Sequence, residues 1–315
     1  MDVTALGELL IDFSSAGESA TGMRMFERNA GGAPANVAAA CAKLGLRAAF
    51  VGKVGDDLHG RFLKTALERE GVDTRNLIMD SDNPTTLAFL VAGPDGECEY
   101  SFYRDGAADL KLRGDEIDAR LIKNSKILQL GTLSLTAEPS RGATLHAAQL
   151  AKNSGVIVAC DVNYRPSLWK NVDEFRARSR ELLRFVDLLK ASESEAEILT
   201  GAASPEESAA ALMSAADLSA VAVTLGENGS YVLTKRGGAR VPALSANAID
   251  TSGAGDTFWA GFLFSLLRSE TRLRDINAEN AASFALFGAA AASIVVEARG
   301  VIPALPTLAQ VKERL

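Results

Sequence analysis

The sequence predicts an α/β protein, with a mostly parallel central sheet covered by helices on both faces and a small β-sheet appended to it. Three observations predict this. Short β-rich runs alternate with helical stretches along most of the 315 residues, the pattern of parallel strands joined by crossover helices. Two stretches break the alternation, a run from Phe13 to Asn29 without helical period and an alternating hairpin from Thr85 to Arg104. With 47% hydrophobic and 23% charged residues, the chain can bury the core of one large domain, taken as 1–315.

Strands are expected at Val3 to Ile11, Ala48 to Val54, Ile127 to Leu130, Val156 to Asp161, Leu188 to Ala191 and Val221 to Leu225. Helices closed by glycine lie between them, Ala35 to Leu44 before Gly45, Leu58 to Glu70 before Gly71 and Glu195 to Thr200 before Gly201. Phe258 to Leu267 reads as a buried helix, and Ala281 to Val296 as a buried helix and strand, short of the roughly 20 residues that span a bilayer. The hairpin turns through Ala92-Gly93-Pro94-Asp95-Gly96-Glu97, whose Gly and Pro suit a reversal. The small sheet would form from about 13–30 and 85–107.

A formal net charge of -7 without a Lys/Arg stripe gives no reason to expect nucleic acid. Cys41, Cys98 and Cys160 are odd in number and widely spaced, which suggests neither a disulfide framework nor a zinc site. No basic leader precedes the first strand, so the expectation is a cytoplasmic protein without a membrane partner.

The strongest chemical signal is Ser252-Gly253-Ala254-Gly255-Asp256 ahead of the apolar helix. A glycine-rich turn entering a helix directs unpaired N–H groups and the positive end of the helix dipole at one point, an anion site. Asp256 beside an anion is repelled by it, which makes sense if the carboxylate takes a proton from an attacking hydroxyl. An aspartate capping the helix suits the same residues, and the turn by itself leaves both open. No G-x-x-x-x-G-K-[ST] and no G-x-G-x-x-G follows the first strand, and neither His59 nor His146 has a G-x-S-x-G partner. A second cluster, Asn29-Ala30-Gly31-Gly32-Ala33-Pro34-Ala35-Asn36, also enters a helix, with Asn36 offering donor and acceptor groups to hydroxyls. Asp12 closes the first expected strand, where ligands of parallel sheets gather.

Together, Gly31-Gly32-Ala33-Pro34-Ala35-Asn36-Val37-Ala38 and Asp250-Thr251-Ser252-Gly253-Ala254-Gly255-Asp256 resemble the two signatures of the PfkB, or ribokinase-like, family of carbohydrate kinases, with Ser252 where Thr is commoner. Gly55-Asp56-Asp57, Thr85-Thr86-Leu87-Ala88, Val223-Thr224-Leu225-Gly226 and the ending Arg299 to Pro306 extend the resemblance over nearly the whole chain. It implies ATP as phosphoryl donor and Asp256 as the base, with the N–H groups of Gly253, Ala254, Gly255 and Asp256 as the anion hole. It also implies Thr224, Gly226 and Gly229 along the nucleotide, Ala291 and Ala292 giving adenine room, and Asp12, Gly31, Gly32 and Asn36 on the sugar hydroxyls. The family's Asn-x-x-Glu magnesium motif stands here as Ser192-Glu193-Ser194-Glu195, which leaves Glu195 to meet Mg2+ through water and puts Ser192 beside the nucleotide. Some members use a monovalent cation such as K+, for which Asp250 and Ser252 are the candidates. The hairpin corresponds to a β-lid that also serves as a homodimer contact.

Phe102-Tyr103-Arg104-Asp105 and Asp161-Val162-Asn163-Tyr164-Arg165-Pro166 are most similar to the family's fructokinases. The alternative is 2-keto-3-deoxygluconate kinase, where arginines meet a sugar-acid carboxylate, or another sugar or nucleoside kinase of the family, so Arg104 and Arg165 are the discriminating substrate-binding candidates. A non-catalytic sugar-binding protein is the more distant alternative.

Overall fold

The computed structural model describes residues 1–92 and 98–315. Its first half runs β1 (Val3–Leu6), β2 (Leu10–Glu18), β3 (Arg24–Gly31), α1 (Ala33–Lys43), β4 (Ala48–Gly55), α2 (Leu58–Arg69), β5 (Asp73–Asp80), β6 (Leu87–Ala92), β7 (Cys98–Tyr103), α3 (Ala119–Lys123), β8 (Ile127–Gly131), α4 (Ser140–Asn153) and β9 (Ile157–Asp161). The second half adds α5 (Val172–Leu183), β10 (Leu188–Ser192), α6 (Glu193–Thr200), α7 (Pro205–Ala215), β11 (Ala220–Thr224), β12 (Ser230–Thr234), β13 (Gly237–Val241), α8 (Ala254–Ser269), α9 (Ala278–Val295) and α10 (Leu308–Arg314).

A nine-stranded sheet has the order β13-β12-β11-β10-β9-β8-β1-β4-β5, parallel from β5 to β11 and antiparallel across β11-β12-β13. Alternate residues feed opposite faces, as the pleat demands. Ala220 and Ala222 pack with α1, α2, α8, α9 and α10, whereas Val221 and Val223 pack with α3 to α7. Both faces are therefore apolar, which is why the central strands read as short continuous hydrophobic runs. The edge strands β5 and β13 carry mixed sequences and were not expected.

The segment expected as one strand from Val3 to Ile11 is two. β1 stops at Leu6, the chain bends through Gly7 and Glu8, and β2 leaves for a second sheet of order β3-β2-β6-β7. The bend brings Pro34 of α1 against Gly7, where a Cβ would lie 2.6 Å from Pro34 Cγ. Asp12 accordingly belongs to the small sheet, paired with Asn29, and does not close a strand of the large one. The small sheet uses the two stretches that broke the alternation; the hairpin tip expected at Ala92 to Glu97 falls on residues 93–97, outside the described residues.

The run from Ala281 to Val296 forms helix only, without the expected strand. By length and composition α9 could cross a membrane, yet it lies along α8 and gives Phe284, Ala285, Ala291 and Val295 to the core. The two helices touch backbone to backbone, since a Cβ on Gly261 would stand 2.7 Å from Gly288 Cα and one on Gly288 would overlap the Phe258 carbonyl. In an open helix Gly→Ala is worth about 1 kcal/mol of stability. Here Gly288→Ala is expected to reverse that sign, with overpacking of about 1–3 kcal/mol and a lower Tm by thermal unfolding. An unchanged or raised Tm would show that the helices can part without penalty.

Candidate active site

The parallel strands end along one edge of the large sheet, β9 at Asp161, β10 at Ser192 and β11 at Thr224, the place where open α/β sheets bind ligands. Two helices begin above this edge, α1 after Gly32 and α8 after Gly253. Gly253 has φ of 71°, a left-handed conformation that is strained for other residues, and a Cβ there would overlap Val301. Both requirements select glycine. In the first turn of α8 the Ala254 N–H is taken by the Thr251 carbonyl at 3.2 Å. The N–H groups of Gly253, Gly255 and Asp256 meet no acceptor among the described residues, which makes them the available donors for an anion.

Asp256 is buried and, among the described residues, no backbone N–H donates to its carboxylate, so its side chain does not cap the helix. Its partner is Asn36, whose Nδ2 donates to Oδ2 at 2.8 Å across 220 residues of sequence. Asn36 Oδ1 is also buried and lacks a protein partner. Burial pushes the Asp256 carboxyl above the usual range, opposed by Lys190, the Asn36 hydrogen bond and Arg165. A buried carboxyl with a raised pKa suits proton acceptance, because the base gains most when its basicity approaches that of the operating pH.

Asp12 reaches the same centre from β2. Gly31 lies against it so closely that a Cβ would overlap Asp12 Oδ2, while Gly32 caps the start of α1. Burial pushes Asp12 up to about 7, with Arg165 pulling it down and Asp256 and Asp250 pushing it further up. Arg165 donates Nη1 to the Tyr164 carbonyl at 3.0 Å and lies over the Tyr100 ring at 5.3 Å, and its charge lowers the pKa of both aspartates. Arg104 does not join it. Its guanidinium is buried in an ion pair with Asp109 at 2.7 Å and donates to Thr136 Oγ1 at 2.9 Å and the Leu133 carbonyl at 3.1 Å. The expected free guanidinium is instead a brace for the wall behind the site.

On the other side of the α8 turn is a cavity of about 760 Å³. Thr224, Gly226 and Gly229 line one wall as expected, with Ala289, Ala292, Ser293 and Val296 of the α9 face opposite and Ala254, Gly255 and Phe258 at the base. Ala291, expected beside Ala292, faces the core and is fully buried, because one residue turns the side chain by about 100° around a helix. Residues 243–248 supply the rim, an irregular segment with no motif to announce it. Ser192 lies next to Thr224 across the sheet and acts as N-cap of α6: its Oγ accepts from the Glu195 N–H at 3.3 Å, and Glu195 Oε2 accepts from the Ser192 N–H at 2.7 Å. Glu195 Oε1 accepts from the Tyr164 N–H at 2.7 Å. This reciprocal box explains how serine replaces asparagine without loss of the turn. Asp250 accepts from the Ser252 N–H at 2.9 Å and the Gly300 N–H at 3.2 Å; burial would raise its pKa, but these bonds hold it below the usual range.

A phosphate-sized set of free N–H groups stands between a nucleotide-sized cavity and a buried carboxylate, and residues 1–308 match the pfkB family carbohydrate kinase pattern. The chain belongs to this family. It is 38% identical to fructokinase-1 of Zea mays over 311 residues, 98% of this chain and 96% of that protein. The fructokinase of Xylella fastidiosa with bound ATP superposes with a TM-score of 0.91 at 31% identity, covering 99% of this chain and 98% of that one. The fructokinase of Vibrio cholerae O395, bound to fructose, ADP and calcium, gives 0.90 at 29% identity over 100% and 99%. Like its relatives, the protein is an α/β carbohydrate kinase with a second, small sheet. Residues that the motifs missed are Glu8, whose Oε1 accepts the Ala33 N–H at 3.0 Å and so caps α1, and the buried pair Lys190 and Asp161. Their signal was a charge inside an apolar strand segment.

With Asp12 titrating near 7, its charge state changes over the range where the enzyme would be assayed. If Asp12 holds the sugar as the resemblance implies, sugar affinity is expected to tighten as pH rises from about 6 to 8, because an ionised carboxylate accepts hydroxyl hydrogen bonds more strongly than the neutral acid. Titration calorimetry of wild type and Asp12→Asn checks it: the variant should bind weakly and without that pH dependence, and a retained dependence would assign it to another group.

Proposed function

We propose that the protein transfers the γ-phosphoryl group of ATP to a hydroxyl of fructose. The observation that carries this is Asp256, buried and held by Asn36 in a turn whose Gly253, Gly255 and Asp256 N–H groups meet no acceptor among the described residues and whose Ala254 and Gly255 border the cavity. Asp256 takes the proton of the attacking hydroxyl as the new oxygen–phosphorus bond forms. The bond from the γ-phosphorus to its bridging oxygen breaks, and ADP leaves with that electron pair. Free N–H groups of the turn meet the charge on the transferring group, where alignment and charge stabilisation are most of what a protein can contribute. Thr224, Gly226, Gly229 and Ala292 would line the nucleotide.

A neutral ketose is favoured over a sugar acid by Arg104 and Asp12. A carboxylate rewards a bidentate guanidinium, but Arg104 is committed to Asp109, and Asp12 adds a carboxyl that an acid would have to approach. A magnesium ion commonly arrives on the substrate phosphates with several of its waters. Magnesium is the reading, with Glu195 reaching it through water, since each Glu195 oxygen accepts one N–H and keeps lone-pair capacity. Asp250 and Ser252 remain the candidates for a monovalent cation. The small sheet would act as the lid over the sugar, since it carries Asp12. Its opposite face, where Phe13, Phe26, Phe89 and Tyr103 cluster with Phe26 and Tyr103 exposed, would meet a second copy of the chain.

ADP release in the presence of fructose, ribose, 2-keto-3-deoxygluconate or aminoimidazole riboside tests the substrate. Fructose should stimulate turnover most; stimulation by the sugar acid alone would overturn the assignment. Asp256→Asn is expected to keep the fold and ATP affinity while kcat falls by roughly 10²- to 10⁴-fold, the range for a lost general base. Near-normal turnover in this variant would remove Asp256 from the chemistry.

A further inference from the structure

Strand β10 reads Leu188-Leu189-Lys190-Ala191-Ser192 and is buried along Leu188 to Ala191. A lysine inside such a strand is expensive, because an ammonium leaving water loses several kcal/mol unless it is paired. Lys190 is paired. Its Nζ donates to Asp161 Oδ2 at 2.9 Å and Oδ1 at 3.0 Å, and the two residues face each other in register on neighbouring parallel strands. A pair kept only to neutralise itself could be replaced by two apolar residues with little loss or some gain, so its position is what asks for explanation.

That position is directly beneath the α8 turn. Lys190 points to the same face of the sheet as Leu188, the face covered by α1 and α8, and a Cβ on Gly255 would lie 2.6 Å from its Nζ. The absence of a side chain at Gly255 therefore lets the ammonium approach the backbone one residue before Asp256. Around Lys190 stand Asp161, Glu195 and Asp256; around Asp256 stand Lys190, Arg165, Glu195, Asp161 and Asp12. Burial would lower the Lys190 pKa, but the surrounding carboxylates raise it, so it remains charged. For Asp256 it is the leading influence opposing burial.

We propose that Lys190 is a positioning residue of the transfer step: anchored by Asp161 under the Gly253–Asp256 turn, it supplies the fixed positive charge that keeps Asp256 ionised as base and offsets the charge arriving on the phosphoryl group. Lys190 acts through Asp256 and the turn, while Asp161 prevents it from swinging into a full ion pair with Asp256 that would quench the base. The proposal rests on the fructose kinase reading.

The test compares kcat, KM and the pH profile of wild type, the charge-neutral double variant Lys190→Met/Asp161→Asn, Lys190→Arg and Asp161→Asn, with fructose and ATP. The double variant is expected to lose about 10²-fold in kcat, as for a lost transition-state donor. Its acidic limb should move up by about one unit or more, with both KM values within about threefold of wild type. Lys190→Arg, which keeps the charge, should retain the wild-type limb and recover most of the rate. Asp161→Asn should move the limb down, since Lys190 then serves Asp256 alone. A double variant with wild-type kcat and limb, or an arginine variant as impaired as the methionine one, overturns the proposal. Where circular dichroism shows the double variant unfolded, the sign of the Asp161→Asn shift decides, and an unmoved or raised limb overturns it. Wild type that releases no ADP with fructose would instead overturn the activity on which the proposal rests.

Discussion

Two helix N-termini are brought to one point, and the hydrogen bond from Asn36 to Asp256 is where they meet. Helix α1 enters from the side of the small sheet, behind Gly31 and Gly32, and α8 enters from the side of the 760 Å³ cavity. The helices pack against each other and against the same face of the large sheet, so the bond is set by the core and has no freedom of its own. Trp259, three residues into α8 beyond Asp256, donates its indole N–H to Gln129 in the middle of β8 at 2.8 Å. Buried polar contacts of this kind give a helix one rotational setting over a sheet. The base is thereby aimed by interactions that lie outside the site.

Around that bond the protein gathers carboxylates that repel one another. Asp12, Asp161, Asp256 and Glu195 come from four different elements, and Lys190 and Arg165 are leading positive charges acting on Asp256. Bringing these groups together is unfavourable before any substrate arrives, a strain typical of functional sites. It is tolerated because Glu195 is absorbed by backbone N–H groups of the α6 cap and of Tyr164, while Asp161 is absorbed by Lys190. Asp12 and Asp256 are left without such full compensation. They are the two carboxyl groups to which the proposed reaction assigns, in turn, a sugar contact and the role of base.

What could be read from the sequence was local. The Gly253–Asp256 turn, the Gly31–Asn36 turn and the central strands are each specified by residues within a few positions of one another, and they lie where expected. What could not be read depended on rotation or on distant partners. Ala291 and Ala292 differ only by which way α9 faces, a choice made by its contact with α8 through Gly261 and Gly288. Arg104 had its partner five residues away at Asp109, but whether a guanidinium serves a ligand or a wall depends on Thr136 and Leu133 arriving beside it. The division of Val3 to Ile11 between two sheets was likewise hidden, since both halves are apolar and the bend is dictated by Pro34 packing on Gly7. Residues 243–248 line the cavity as an irregular chain, for which no periodicity exists to be detected.

The same reasoning explains why the most informative residues were the ones that fit their segments worst. Glu8 interrupts Leu6 to Ile11 and Lys190 interrupts Leu188 to Ala191, yet each segment remains apolar enough to be taken as a strand or its extension. Periodicity averages over such a residue, whereas energetics does not, because one buried charge outweighs the apolar gain of its neighbours unless a partner is present. Glu8 found the N-terminus of α1 and Lys190 found the underside of α8. Each of the two helices that meet at Asn36 and Asp256 is thus backed by a buried ionisable group, Glu8 from the bend after β1 under α1 and Lys190 from β10 under α8. On the proposed reading the α1 turn faces neutral hydroxyls and can spare an N–H to Glu8, while the α8 turn faces phosphate and is reinforced by the Lys190 ammonium.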